Sequence, residues 1–373
     1  MKTAPRLQRL RQAMAAAGLD AFLVSQPQNV YYLSGYRCRS WSLAQPANDA
    51  EALLLIQPND VIFLCDDRHD PAPALANGFA HGRIESPGGV EALSKLINSA
   101  IGGKAKTLGF EAGSILHADA VGLMGLVKSV RWQPADDIMV RLRAIKDEAE
   151  LELLRKAARI TDGAFAHVVT MLRPGMSEKD VADEIGDYLR RNSEGLAFDT
   201  IVGFGPASAA PHYHPSADNK LRSGDLVLMD FGAVWEGYHG DMTRCVFMGK
   251  ADARQREVYE HVLGAQEACL KGIRAGMTEG QADELARGYL SARGCADRFI
   301  HGTGHGLGLA IHEPPRLKPT LTTPLEAGMV VTVEPGLYYE GWGGIRIEDV
   351  VILTADGSVN ITHSPKHLIE VSC

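Results

Sequence analysis

Cysteine is scarce and unpatterned: Cys38, Cys65, Cys245, Cys269, Cys295 and Cys373 form no C-x-x-C and no regular ladder. A disulfide framework and a thiolate zinc knuckle are thereby excluded. No apolar run approaches the ~18 residues that a bilayer span needs. The opening MKTAPRLQRLRQAMAAAGLD carries charges through its first twelve residues, unlike the continuous apolar core of a secretory leader, so a cytoplasmic protein is expected. Positive charge is in deficit, 38 Lys+Arg against 46 Asp+Glu for a net charge of −8, which argues against a general nucleic-acid or anionic-membrane binder. Also missing are the phosphate loop G-x-x-x-x-G-K-[ST], the nucleophile elbow G-x-S-x-G and H-E-x-x-H. What is present is ordinary for a globular chain: 373 residues, 45% hydrophobic and 23% charged, enough for two domains of roughly 100–200 residues.

Residues 6–17 put Leu7, Leu10 and Met14 on one helical face, closed by Gly18. Strand-like runs follow at 19–25, 29–33, 52–57 and 61–65, with helical stretches near 90–101 and 117–127. That alternation predicts an α/β unit with a mixed sheet, and the polar segment 37–48 reads as a loop between two strands. The pattern changes around 141–146. Asp147 can cap a long helix there, whose Leu151, Leu154, Ala158 and Phe165 share a stripe. The domain boundary is placed at this point, giving 1–143 and 144–373.

The second domain is internally duplicated. LRPGMSEKDVADEIGDYLRR (172–191) aligns with IRAGMTEGQADELARGYLSA (273–292) at an offset of 101 residues. Each copy has a Gly-Met turn, a Ser or Thr cap followed by Glu, then an amphipathic helix bearing Tyr-Leu. Farther on, GDLVLMDFGAVWEGY (224–238) aligns with GMVVTVEPGLYYEGW (328–342) at an offset of 104, which places Asp230 on Glu334. Such a repeat predicts two like units packed about a pseudo-twofold axis. Each delivers a carboxylate to the same relative place, and two such groups repel unless positive charge lies between them.

Asp230 and Glu334 end apolar strand patterns, Asp241 follows Asp230 by eleven residues, and Glu348 sits within GIRIEDVVIL. Burying unpaired carboxylates is costly, so four of them need cations. Arg244 and Arg346 could serve, or metal ions. HGTGHGLGLAIHE (301–313) adds His301, His305 and His312 among glycines at 302, 304, 306 and 308, and glycine lets a backbone pass close to a ligand. One His with four carboxylates is an oxygen-rich donor set, better suited to two divalent ions such as Mn²⁺ than to a Cys/His zinc site. Paired ions of this kind activate water and offset the charge of a tetrahedral oxyanion. Metal-assisted hydrolysis is the chemistry expected.

Together GDLVLMDFG, GDMTR, HGTGHGLGL with HE, VEPG and GGIRIED resemble the pita-bread metallopeptidases, the group of methionine aminopeptidase, aminopeptidase P and Xaa-Pro dipeptidase (prolidase). The likeness runs from about 144 to 370, and the N-terminal domain is similar to that of the Xaa-Pro enzymes and of creatinase. It implies an α/β N-terminal domain followed by an α+β pita-bread (creatinase/aminopeptidase-like) catalytic domain. By position it implies Asp230, Asp241, His305, Glu334 and Glu348 as metal ligands. All five hold the ligand residue type, unlike creatinase, which works without metal. Mn²⁺ is the expected ion, with Co, Zn or Fe as alternatives.

The resemblance also implies Glu334 as general base, His312 beside the tetrahedral intermediate or scissile carbonyl, and His301 and Arg346 in the substrate pocket. It further implies a histidine about seventeen residues before the first Asp. PHYHP offers His212 at eighteen and His214 at sixteen; the flanking prolines favour His212, for proton transfer near the leaving nitrogen. Arg316, in HEPPR, matches an arginine that takes the substrate's terminal carboxylate in similar dipeptidases, a pairing that suits guanidinium. A solvated loop arginine is the competing reading.

The implied activity is hydrolysis of the bond before proline at the N-terminus of a dipeptide or short peptide, as Xaa-Pro dipeptidase in preference to aminopeptidase P, by a homodimer. Proline's missing N–H and fixed φ make this bond a poor substrate for ordinary proteases. A hydrolase or lyase of a small non-peptide metabolite on the same scaffold is the alternative. A non-catalytic peptide-binding module is opposed by the intact ligand set, and methionine aminopeptidase by the extra N-terminal domain.

Overall fold

The computed structural model describes residues 3–38, 51–65, 72–76, 83–85, 89–103 and 106–372, and divides into two compact units, Met1–Arg143 and Ala144–Cys373. Most of the 37–48 segment lies outside the described residues. No helix among the described residues is long and apolar enough to cross a membrane.

In the first unit AFLV, ALLLI and VIFLC are continuous apolar runs, as strands covered on both faces require. They form β1 (Ala21–Val24), β2 (Ala52–Ile56) and β3 (Val61–Cys65). With β4 (Arg83–Glu85), β5 (Thr107–Phe110) and β6 (Arg131–Pro134) they make a mixed sheet in the order β4-β3-β2-β1-β5-β6. Helices Ala4–Ala16, Gly89–Ile101 and His117–Leu126 lie where periodicity predicts them. Residues 29–33 do not form the expected strand; they belong to a helix, Pro27–Ser34. Ser25 and Gln26 turn the chain out of β1 by donating their backbone N–H groups to the buried Glu111 carboxylate, at 2.6 Å each. Pro27 then opens the helix, where its missing N–H leaves no bond unmade. Every residue of that helix is buried, so its sequence carries no amphipathic period to set it apart from a strand.

The second unit is built twice. Helix Glu148–Met171, capped by reciprocal bonds of Asp147 and Glu150, leads to helix Glu178–Asn192, and helix Ala253–Gly272 leads to helix Glu279–Ser291. In both pairs a tyrosine hydroxyl of the second helix lies against a glycine of the first, Tyr188 on Gly163 and Tyr289 on Gly264, where a Cβ would collide. Both Gly-Met turns hold the segment that leads into β8 or β14 alike: the Leu221 N–H donates to the Met176 carbonyl at 2.8 Å, and that of Leu325 to Met277 at 2.7 Å.

The first half supplies β7 (Ile201–Phe204), β8 (Leu226–Phe231), a short hairpin of β9 (Val234–Trp235) and β10 (Tyr238–His239), and β11 (Met242–Met248). The second supplies β12 (Gly304–Gly306), β13 (Glu313–Leu317), β14 (Val330–Val333), the hairpin β15 (Gly336–Tyr339) and β16 (Gly343–Arg346), β17 (Asp349–Leu353) and β18 (Ser358–Asn360). With the terminal β19 (Glu370–Val371), the two sheets run β19-β11-β8-β7 and β13-β12-β14-β17-β18. In each half an antiparallel pair, β8 with β11 or β14 with β17, is joined through a hairpin.

Candidate metal centre and active site

Each half brings two carboxylates to the ends of its central strand pair. Asp230 is next to last in β8, Asp241 immediately precedes β11, and the register sets Asp230 opposite Thr243. Glu334 directly follows β14 and Glu348 directly precedes β17. His305 is central in β12, its backbone N–H donating to the Thr332 hydroxyl at 3.0 Å. These five line one cavity of about 830 Å³ with His212, His301, His312, Arg316 and Arg346. Every site residue that the family resemblance implies lines this cavity. Ligand atoms of Asp241, His305 and Glu348 lie within 4.8 Å of one another.

Neighbours aim these groups. The Thr243 hydroxyl donates to Glu348 Oε2 at 2.7 Å, and the Thr332 hydroxyl to Glu334 Oε1 at 3.2 Å. The buried Arg346 guanidinium donates to Asp230 Oδ2 at 2.6 Å and to the Thr243 and Tyr338 hydroxyls at 2.8 Å each. Arg244 is engaged elsewhere, with Asp349 at 2.7 Å. His305 Nδ1 faces the Gly306 carbonyl at 3.1 Å; a carbonyl only accepts, so Nδ1 carries the proton and Nε2 a lone pair. That lone pair looks at oxygens of Glu334 and Asp241, 3.4 and 3.5 Å away. Acceptors face acceptors.

Burial pushes Asp241 and Glu348 well above the usual carboxylate range, and repulsion among the four acids adds to it. Glu334 is pushed up to about 7 and Asp230 is also raised, burial leading in both while Arg346 pulls back. Burial takes His305 down to about 3, helped by His312. Asp230 Oδ1 is buried with no hydrogen-bond partner. Four carboxylates against one guanidinium, an orphaned oxygen and a directed imidazole lone pair fit divalent cation binding, in which a ligating His typically gives its other N–H to a carbonyl.

A model of metallopeptidase family M24 matches residues 152–355, and one of the creatinase/prolidase N-terminal domain matches residues 6–145. The chain belongs to metallopeptidase family M24. It is a metal-dependent peptidase with the pita-bread catalytic fold behind a creatinase-type N-terminal domain. It is 36% identical to the uncharacterized peptidase YqhT of Bacillus subtilis over 366 residues, 98% of this chain and 99% of that one. The solved structure of an Xaa-Pro dipeptidase from Bacillus anthracis is 34% identical with a TM-score of 0.89, covering 98% of this chain and 99% of that one. For an X-Pro aminopeptidase from Thermotoga maritima the values are 31% and 0.85, with 96% and 100% covered.

Elsewhere in the cavity of this M24 metallopeptidase, His301 gives Nδ1–H to the Gly302 carbonyl at 2.8 Å and accepts the Tyr338 hydroxyl at Nε2, at 2.9 Å. Burial, with the Arg346 charge adding, drives its pKa to about 4. It is a neutral wall with both nitrogens engaged. The His312 ring stands edge-on to His305, centroids 4.4 Å apart. Of the two candidates in PHYHP, His212 is the one whose charge reaches Asp230, His301 and His312; His214 also lines the cavity.

Arg316 pairs with His305 across β12 and β13. Lys318 directly follows β13, two residues beyond Arg316, and lines the same cavity. The Lys318 stem crosses Gly302, where a Cβ would stand 2.8 Å from its Cγ. Among the described residues neither cation has a carboxylate partner within ion-pair distance. Sequence reasoning missed Thr243, Thr332 and Tyr338, and at the cavity wall Lys318, Asp199 and Phe198. The second cation two residues beyond Arg316 was the available signal for Lys318.

Proposed function

We propose that this metallopeptidase hydrolyses the peptide bond before proline at the N-terminus of dipeptides or short peptides, with Xaa-Pro dipeptides favoured. One observation carries the dipeptide preference: two cations without ion-pair partners among the described residues, Arg316 and Lys318, line the same cavity as the five-donor cluster. The free carboxylate of an Xaa-Pro dipeptide, one residue beyond the scissile bond, is a group that guanidinium binds bidentately. The similar Xaa-Pro dipeptidase and X-Pro aminopeptidase support the proline requirement.

Asp230, Asp241, His305, Glu334 and Glu348 would hold two divalent ions, Mn²⁺ first among the candidates. When bound, such ions polarise a carbonyl and acidify water. The rest falls to the chain's own side chains. Glu334 takes the proton of the attacking water at its carboxylate. His312 donates to the carbonyl oxygen as it gains charge. His212 protonates the departing proline nitrogen, which cannot leave readily as an anion. Arg316 orients the peptide by its carboxylate, and His301 bounds the pocket.

The test is to chelate the protein, reload it with Mn²⁺ and offer Ala-Pro, Ala-Pro-Ala and Ala-Ala. Cleavage of Ala-Pro alone is expected. Equal cleavage of Ala-Pro-Ala moves the assignment to aminopeptidase P. No cleavage of any of them while Mn²⁺ binds refutes the substrate.

A further inference from the structure

The duplicated Gly-Met-[Ser/Thr]-Glu turn has a part in the site that its capping role does not explain. Glu178 and Glu279, 101 residues apart, each open the second helix of their half. A carboxylate in a first helical turn usually faces water and complements the helix dipole. Both of these are buried instead, and burial of a carboxylate is tolerated only where donors surround it.

Glu178 accepts the Phe204 N–H at 2.8 Å, the Ser216 N–H at 3.0 Å and the Asn219 amide at 2.7 Å. Its donors therefore bracket His212 on both sides along the 204–219 segment. Glu279 accepts the Arg316 N–H at 2.7 Å, on the strand that presents Arg316 to the cavity. Next to it, Gly280 lets the chain beyond β13 pass close, since a Cβ there would meet the Pro319 and Leu321 carbonyl oxygens at 2.7 and 2.8 Å.

We propose that the two glutamates are paired positioning residues: Glu178 sets His212 for the chemical step, and Glu279 sets Arg316 for binding of the substrate carboxylate. The assignment rests on the roles given above to His212 and Arg316.

The test uses the Mn²⁺-loaded full chain and Ala-Pro. Glu178→Ala lowers kcat on the order of 10²-fold with KM little changed, as misplacement of a proton-transfer group does. In a His212→Ala background the same change adds nothing further. Glu279→Ala raises KM roughly 10-fold at little-changed kcat. That rise vanishes with the carboxamide of Ala-Pro and in an Arg316→Ala background. Glu178→Gln and Glu279→Gln keep one acceptor oxygen, recover part of each effect, and stand in wherever an alanine variant does not fold. Equal losses in both backgrounds, or kcat and KM moving together in every variant, overturn the proposal. An unchanged kcat in His212→Ala, or an unchanged KM in Arg316→Ala, overturns that arm and places the failure in the role of the histidine or arginine itself.

Discussion

The two halves of the catalytic unit follow one plan yet contribute unequally to its centre. Each supplies two carboxylates, eleven residues apart in the first and fourteen in the second, but among the described residues that line the cavity only the second supplies a strand-borne imidazole, His305. The register accounts for this. Gly203 of β7 pairs with Leu228 of β8. Gly306 of β12 pairs with Val331 of β14, which sets His305 against Thr332. Leu228 and Thr332 are one position of the repeat, 104 residues apart, so Gly203 is the counterpart of His305. A Cβ on Gly203 would stand 2.9 Å from the backbone N and Cα of Ser208. Duplication thus offers symmetric places to the acids, while the Gly205–Ala209 turn fills the place of a second imidazole.

The contrast is broken most severely by His305→Ala. Even outer partners of metal ligands are worth roughly 10–100-fold, so kcat/KM on Ala-Pro should fall by more than about 100-fold, with metal content per chain falling too. The converse change, Gly203→His, tests the first half. It should add no ligand and instead destabilise the protein by about 1–3 kcal/mol through overpacking, read from denaturant unfolding of the metal-loaded chain. A well-folded Gly203→His variant that binds metal more tightly would sink the counterpart assignment. A smaller effect separates the two threonines. Thr243 bridges Glu348 and Arg346 at 2.7 and 2.8 Å, whereas Thr332 donates to Glu334 at the longer 3.2 Å and otherwise accepts only a backbone N–H, that of His305 at 3.0 Å. Thr243→Val should weaken Mn²⁺ binding by roughly 10–100-fold and Thr332→Val by less, as measured by metal titration.

What could be read in the sequence follows from how local the signal is. Asp230, Asp241, Glu334 and Glu348 stood out because charge interrupts apolar strand patterns, and the repeat marked two of them as equivalent. His305 stood out among its glycines. Thr243 and Thr332 did not, because threonine is an ordinary strand residue. Their function lies in contacts to a partner that pairing alone reveals, such as Glu348, 105 residues from Thr243. Arg346 was legible as a cation near the acids, but its commitment to Asp230, Thr243 and Tyr338 was not. In the N-terminal unit, NVYYL was read as strand because a fully buried helix has no polar face; Pro27 before it was the overlooked sign.

The least disruptive way to sharpen the comparison is to vary pH, which changes no residue. Asp230 of the first half has an ion-pair partner, Arg346 at 2.6 Å; among the described residues Glu334 of the second has no Lys or Arg within ion-pair distance and is pushed from 4.5 to about 7, mainly by burial. A folded-state value above the unfolded one means that the native chain keeps a proton the unfolded chain has released. Stability from this source is then full below about 4.5 and is lost as pH rises through about 7. Asp241 and Glu348 shift in the same direction. The urea midpoint of the chelated protein should therefore fall between roughly pH 5 and 8, and Glu334→Gln should flatten part of that fall. With Mn²⁺ bound the slope should reverse, because protons compete with the ion for the same oxygens. Parallel profiles with and without metal would mean that these acids do not share a cation, and the equivalence of the two halves would then be one of fold without a common chemical purpose.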